Sequence, residues 1–182
     1  MPTREFYAGL TRDERIGRLA RTPDDLAGAI RGRSADELAR RPDSTNWSAV
    51  EIICHLRDIE EIGMMRFRMM LAMDEPKVLV VGAQPPNPGE WGLVGGELLV
   101  DPNRWADERQ YSRCDPTAAL AAFRNRRAES LAFLARLTSV QWERGSRHPT
   151  LGRMTFSDWT ALTAGHDDNH FDQLTRALAG RA

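Results

Sequence analysis

The chain has 182 residues, 25 basic against 26 acidic side chains and a formal net charge of −1, which excludes the strongly basic balance of a nucleic-acid-binding surface. Apolar residues make up 41% before the 14 glycines are added, too many for a disordered chain and enough for one globular domain spanning 1–182. The longest aliphatic run, Val78-Leu79-Val80-Val81, is far short of the roughly 18 residues that span a bilayer, and the first residues carry no secretory stretch. A cytoplasmic protein that binds neither membrane nor nucleic acid is therefore expected. All but one of the 25 basic residues are Arg, Lys77 being the exception, a bias that reads as genome composition.

The elements in chain order are mostly helical. Thr22-Pro23-Asp24-Asp25 reads as a cap, a proline at the first helical position and an acidic first turn, opening a helix to about Arg31. The segment from Thr11 to Arg21 is an earlier helical piece continuous with it. Ser34 and Glu37 have capping-box spacing, and a short helical piece there ends at Arg41-Pro42. From about Asn46 to Met73, Ile52, His55, Leu56, Ile59 and Ile62 recur at spacings of three and four, the pattern of a helix with one buried face. Half of the ten prolines then fall between Asp74 and Arg104, so no long helix passes through 74–114. This is an excursion in which Val78–Val81 and Glu97–Val100 could pair as a hairpin.

Asp115 and Pro116 open the third long helix, which runs to about Thr138 with Leu120, Phe123, Leu131 and Leu134 on its inner side and Arg127 interrupting the row. The fourth begins after Gly152, with Thr155 and Asp158 in capping-box spacing, and stops at Gly180. Its inward row is Trp159, Leu162, His166, His170, Leu174 and Leu178. The fold class is all-α.

Only four histidines are present, and three of them sit on inward rows. His166 and His170, one turn apart, can converge on one ion, and His55 from a facing helix completes a three-nitrogen face. Neutral imidazole binds divalent transition metals, and three protein ligands without a fourth leave a coordination position open, as catalysis needs. A lone inward histidine is more often a hydrogen-bonded core residue; three on facing rows reverse that weighting. Asp58, Asp167, Asp168 and Asn169 are candidates for orienting the imidazoles, each having a solvated surface role as the alternative. Cys54 and Cys114 read as free, inert thiols, and His148 as a structural loop residue. Trp47 and Trp159 read as core anchors, while Trp91 and Trp105 lie in the excursion, where a pocket wall is the alternative.

The segments WSxxEIxxHLxD around His55, DPNRWADERQY, and HDxxHxxQ from His166 to Gln173 resemble the DinB/YfiT-like superfamily, and the likeness covers most of residues 20–178. It implies an up-down-down-up four-helix bundle and a divalent metal, zinc or nickel, held by His55, His166 and His170; the excursion read from the prolines and glycines falls between the second and third helices and is not part of the likeness. It also implies an enzyme that uses a low-molecular-weight thiol such as bacillithiol or mycothiol against an electrophilic small molecule. The family's members are often homodimers, an assembly the residues themselves leave open. Activation by the ion would make a separate nucleophile unnecessary, in keeping with the absence of a GxSxG signature. Arg104 and Arg109 are candidate anion contacts, with surface charge as the other reading. Metal-dependent hydrolysis and a non-catalytic metal-binding or ligand-sensing bundle are the competing functions.

Overall fold

Side-chain caps start nearly every helix, because the first turn of a helix leaves backbone N–H groups without partners. In the computed structural model, which describes residues 4–78, 85–91 and 101–182, capping boxes open α2 (Arg12–Ile30), α3 (Ala35–Ala39), α4 (Ala49–Ala72), α7 (Ser139–Trp142) and α8 (Phe156–Leu178). An aspartate cap followed by proline opens α5 (Pro102–Glu108) and α6 (Pro116–Leu134). A short α1 (Arg4–Gly9) precedes them. The proposed helix start at Thr22 is corrected. The cap is Thr11 with Glu14, and α2 runs unbroken through Pro23. Thr22 is buried and donates its hydroxyl to Asp167 across the bundle at 2.6 Å.

The four long helices α2, α4, α6 and α8 form the bundle. Arg127 of α6 bonds Glu60 of α4, and Arg126 bonds Asp58, while Leu120 shares one buried cluster with Leu56 and Leu134 another with Phe67 and Met70, so α4 and α6 run parallel. Leu19 with Ala161, Thr22 with Asp167, and Leu26 with Leu174 likewise make α2 and α8 parallel. His55 facing His166, and Arg66 facing Trp159, make α4 and α8 antiparallel. The topology is up-down-down-up. A parallel pair consecutive in the chain needs a return path along the bundle, and α5 lies in the segment that connects α4 to α6. The suggested hairpin between Val78–Val81 and Glu97–Val100 lies outside the described residues.

Two departures follow from local chemistry. The third long helix stops at Leu134, four residues early, because Thr138 caps the separate α7 with Gln141. The segment read as a loop around His148 is an antiparallel hairpin, β1 (Gly145–His148) with β2 (Gly152–Thr155), and Gly152 takes the left-handed conformation after the turn, φ +75°. Val78 extends this small sheet by donating to the Arg147 carbonyl at 3.1 Å. Among the described residues no helix is long and apolar enough to cross a membrane.

Candidate metal centre

His55 lies in the second turn of α4, and His166 and His170 lie one turn apart in α8. Their ligand atoms all fall within 4.8 Å of one another. The Nε2 atoms of His55 and His166 are 3.3 Å apart, and those of His166 and His170 are 3.1 Å apart. Three nitrogens bound to one ion at about 2.0–2.1 Å would be separated by about 2.8–3.4 Å in octahedral or tetrahedral geometry, so the spacing fits a shared divalent cation. The donors are also in the right protonation state. Burial, reinforced by the charges the other two rings would carry, pushes His55 down to about 2. Burial likewise lowers His166 and His170. All three present neutral imidazole at neutral pH.

Gln173 fixes one of these ligands. Its Oε1 lies 2.7 Å from His170 Nδ1; with the amide oxygen as acceptor, Nδ1 carries the proton and Nε2 keeps the lone pair. The signal for this was the i, i+3 spacing in HDxxHxxQ. Trp47, just before the Ser48 cap of α4, stacks on His170 with ring planes 15° apart and lies 4.9 Å from the His55 ring.

The aspartates proposed to orient the imidazoles are committed to arginines. Asp58 is buried and accepts from Arg57 Nε, Arg109 NH1 and Tyr111 Oη, each at 2.7 Å, and from Arg126 at 3.2 Å. Burial would raise its carboxyl, but the bonds from Arg57 and Tyr111 and the surrounding positive charge outweigh it and hold the group near about 2. Asp167 accepts from Arg127 NH1 at 2.6 Å and from Thr22. Asp168 bonds the Tyr7 hydroxyl and Arg18. The two buried acids act on the rings only through charge, Asp58 on His55 and Asp167 on His170. Asn169 is exposed at the rim of the site. Arg127, the interruption in the α6 row, is the centre of a buried ion-pair cluster with Asp167 and Glu60. Arg104 pairs with Glu108, and Arg109 stacks 4.2 Å over Trp105 and faces a separate groove with Asp58.

A cavity of about 570 Å³ opens onto all three histidines, with Trp47, Tyr7, Ile59 and Leu162 among its walls. Tyr7 approaches closely because Gly165, next to His166, has no side chain; a Cβ there would sit 3.1 Å from the Tyr7 ring. Trp47 and Trp159 are thus buried anchors that also face the site. His148, read as merely structural, lines the same cavity.

The family model of the DinB superfamily matches residues 18–174. The chain belongs to the DinB superfamily. Among superfamily proteins it is similar to YfiT of Bacillus subtilis (strain 168), with 22% identity over 173 residues, 94% of this chain and 86% of YfiT. The solved structure of YfiT, described as a probable metal-dependent hydrolase with an unusual four-helix bundle topology, matches with a TM-score of 0.74 over 92% of this chain and 87% of that one. The bundle topology derived above from individual contacts is thus a shared DinB/YfiT fold.

Proposed function

We propose that this superfamily member is a metal-dependent enzyme that delivers a small nucleophile to an electrophilic small molecule. The observation that carries this reading is the convergence of three neutral imidazole nitrogens on the wall of an open cavity. His55, His166 and His170 would hold a divalent transition-metal ion, zinc or nickel on the strength of the family resemblance. When bound, such an ion supplies Lewis-acid activation of a nucleophile at neutral pH.

The chain's own residues do the rest. Gln173 keeps His170 oriented, so that a ligand lone pair is available without rearrangement. Trp47 packs against the rings of His55 and His170 and forms one wall beside them. The apolar walls, Ile59 and Leu162 among them, hold the organic part of a substrate.

Hydrolysis, with water as nucleophile, is the reading supported by similarity to YfiT. Transfer of a low-molecular-weight thiol is the second, supported by the family resemblance; the cavity's volume is in the range of pockets that bury one drug-sized ligand.

Metal analysis of the wild type beside His55→Ala and His166→Ala tests the site. One ion per chain in the wild type, and loss in both variants, is expected; equal loading in all three refutes the ligand set. The loaded protein is then given a chromogenic ester without thiol, and a chlorodinitrobenzene with bacillithiol or mycothiol. Ester turnover that disappears with the metal supports hydrolysis, and metal-dependent thiol conjugation supports transfer. Full loading with neither activity favours a non-catalytic ligand-sensing bundle.

A further inference from the structure

The centre of the bundle holds a second, smaller cavity of about 30 Å³, largely enclosed. All four long helices wall it, through Leu19 of α2, Glu60 of α4, Arg127 and Ser130 of α6, and His166 and Asp167 of α8. Of the three candidate ligands, His166 alone lines this cavity as well as the larger open one. Its Nε2 faces the Nε2 atoms of His55 and His170. The two nitrogens of an imidazole point in well-separated directions, so Nδ1 is turned away from that cluster, and among the described residues nothing bonds it.

Two other polar atoms on the wall of this cavity are buried without a hydrogen-bond partner among the described residues, Arg127 Nε and Ser130 Oγ. Arg127 is 2% exposed and Ser130 is 3% exposed. The terminal nitrogens of Arg127 are committed, NH1 to Leu19 and Asp167, NH2 to Glu60 and Asp167, which leaves the Nε proton to be placed. An orphaned donor at such depth is costly, and native interiors meet the cost with an ordered water where the space is polar and large enough. About 10–15 Å³ is enough for one. The valences close as well. The Nε–H of Arg127 and the Nδ1–H of His166 would fill the two lone pairs of a water, and one of its own protons would go to Ser130 Oγ. Ligation of an ion through Nε2 requires that same Nδ1–H tautomer of His166.

We propose that this cavity is a site for one ordered water molecule, and that Ser130 is a positioning residue which, through that water and together with Arg127, holds His166 with its Nε2 presented to the ion. His166 would thus be oriented from inside the bundle, as His170 is by Gln173. The positioning role rests on the metal-dependent reading above; the water site does not.

High-resolution crystal structures of the metal-free and the zinc-loaded wild type test the site. In both, one water is expected within about 3.2 Å of Arg127 Nε, Ser130 Oγ and His166 Nδ1. An empty cavity, or a water out of reach of His166 Nδ1, overturns the proposal, and neither result depends on a variant that folds. Competition for zinc with a chromogenic chelator reads the positioning role. Ser130→Ala should bind zinc about tenfold more weakly, and Ser130→Thr, which restores a hydroxyl, should come back to within about twofold of the wild type. Circular dichroism establishes that each variant is folded. Unchanged affinity in folded Ser130→Ala, or a loss that folded Ser130→Thr does not restore, removes Ser130 from the site. The water in place in metal-free crystals of a wild type that takes up no zinc sinks the metal-dependent reading and leaves the water site standing.

Discussion

Replacing Arg127 with methionine removes the centre of a charge cluster that water does not reach. The Arg127 side chain is 2% exposed, that of Asp167 is 1% exposed and that of Glu60 is 8% exposed. Its guanidinium donates to Asp167 at 2.6 Å, to Glu60 at 2.8 Å and to the Leu19 carbonyl at 2.9 Å. The substitution conserves the stem's packing but leaves two like-charged carboxylates facing a gap, and breaking a buried pair in this way costs about 3–5 kcal/mol. That is a large share of the about 5–15 kcal/mol that holds a domain folded. The cost arises from the stranded acids and not from loss of a favourable pair, so neutralising them in Arg127→Met/Asp167→Asn/Glu60→Gln should recover most of it. Urea unfolding of wild type, single and triple variants reads both numbers. A single variant within about 1 kcal/mol of wild type, or a triple variant no more stable than the single, would refute the reasoning.

Gln173→Ala should weaken zinc or nickel binding about 10–100-fold with the three histidines untouched; competition with a chromogenic chelator measures it, and unchanged affinity would remove Gln173 from the site. The metal-free protein should lose stability as pH falls below about 6.5. Burial depresses the folded-state values of His55, His166 and His170, so the unfolded chain takes up protons that the native one refuses, at up to about 1.4 kcal/mol per pH unit for each imidazole. Thermal melts at pH 7, 6 and 5 check this, and a flat profile contradicts it. Cys54 is fully buried, and its thiol is pushed up to about 12 by that burial, so native protein treated with iodoacetamide at pH 8 should leave Cys54 unmodified until urea is added. Mass spectrometry of the peptides shows whether it does.

The bundle was legible because its signals are local. Ser34-x-x-Glu37 and Thr155-x-x-Asp158 announce helix starts, and the rows at three and four spacing announce the faces that pack. The histidine cluster was legible for the same reason, as inward positions on two helices that turned out to be antiparallel neighbours. Features that depend on which helix lies beside which were not. Thr22-Pro23 imitates a helix start, and only the partner Asp167 on α8 shows why a buried threonine stands there. Asp58 and Asp167 sit beside histidines in sequence, yet their oxygens are taken by arginines from α4 itself and from more distant segments, among them Arg109 and Arg126 for Asp58 and Arg127 for Asp167. His148 looked like a loop residue because β1 and β2 are four residues each, too short for alternation to declare them.

The parallel pairing of α2 with α8 bears on how the molecule assembles. A simple antiparallel bundle can zip up helix by helix from contacts between sequence neighbours, which favours rapid folding. Here the first long helix finds a principal companion only when the last one arrives, and the imidazole of α4 waits for the same event, with 111 positions separating His55 from His166. During synthesis the emerging α2, α4 and α6 therefore carry exposed apolar faces for most of translation, and the competence to capture an ion is gained in one late step.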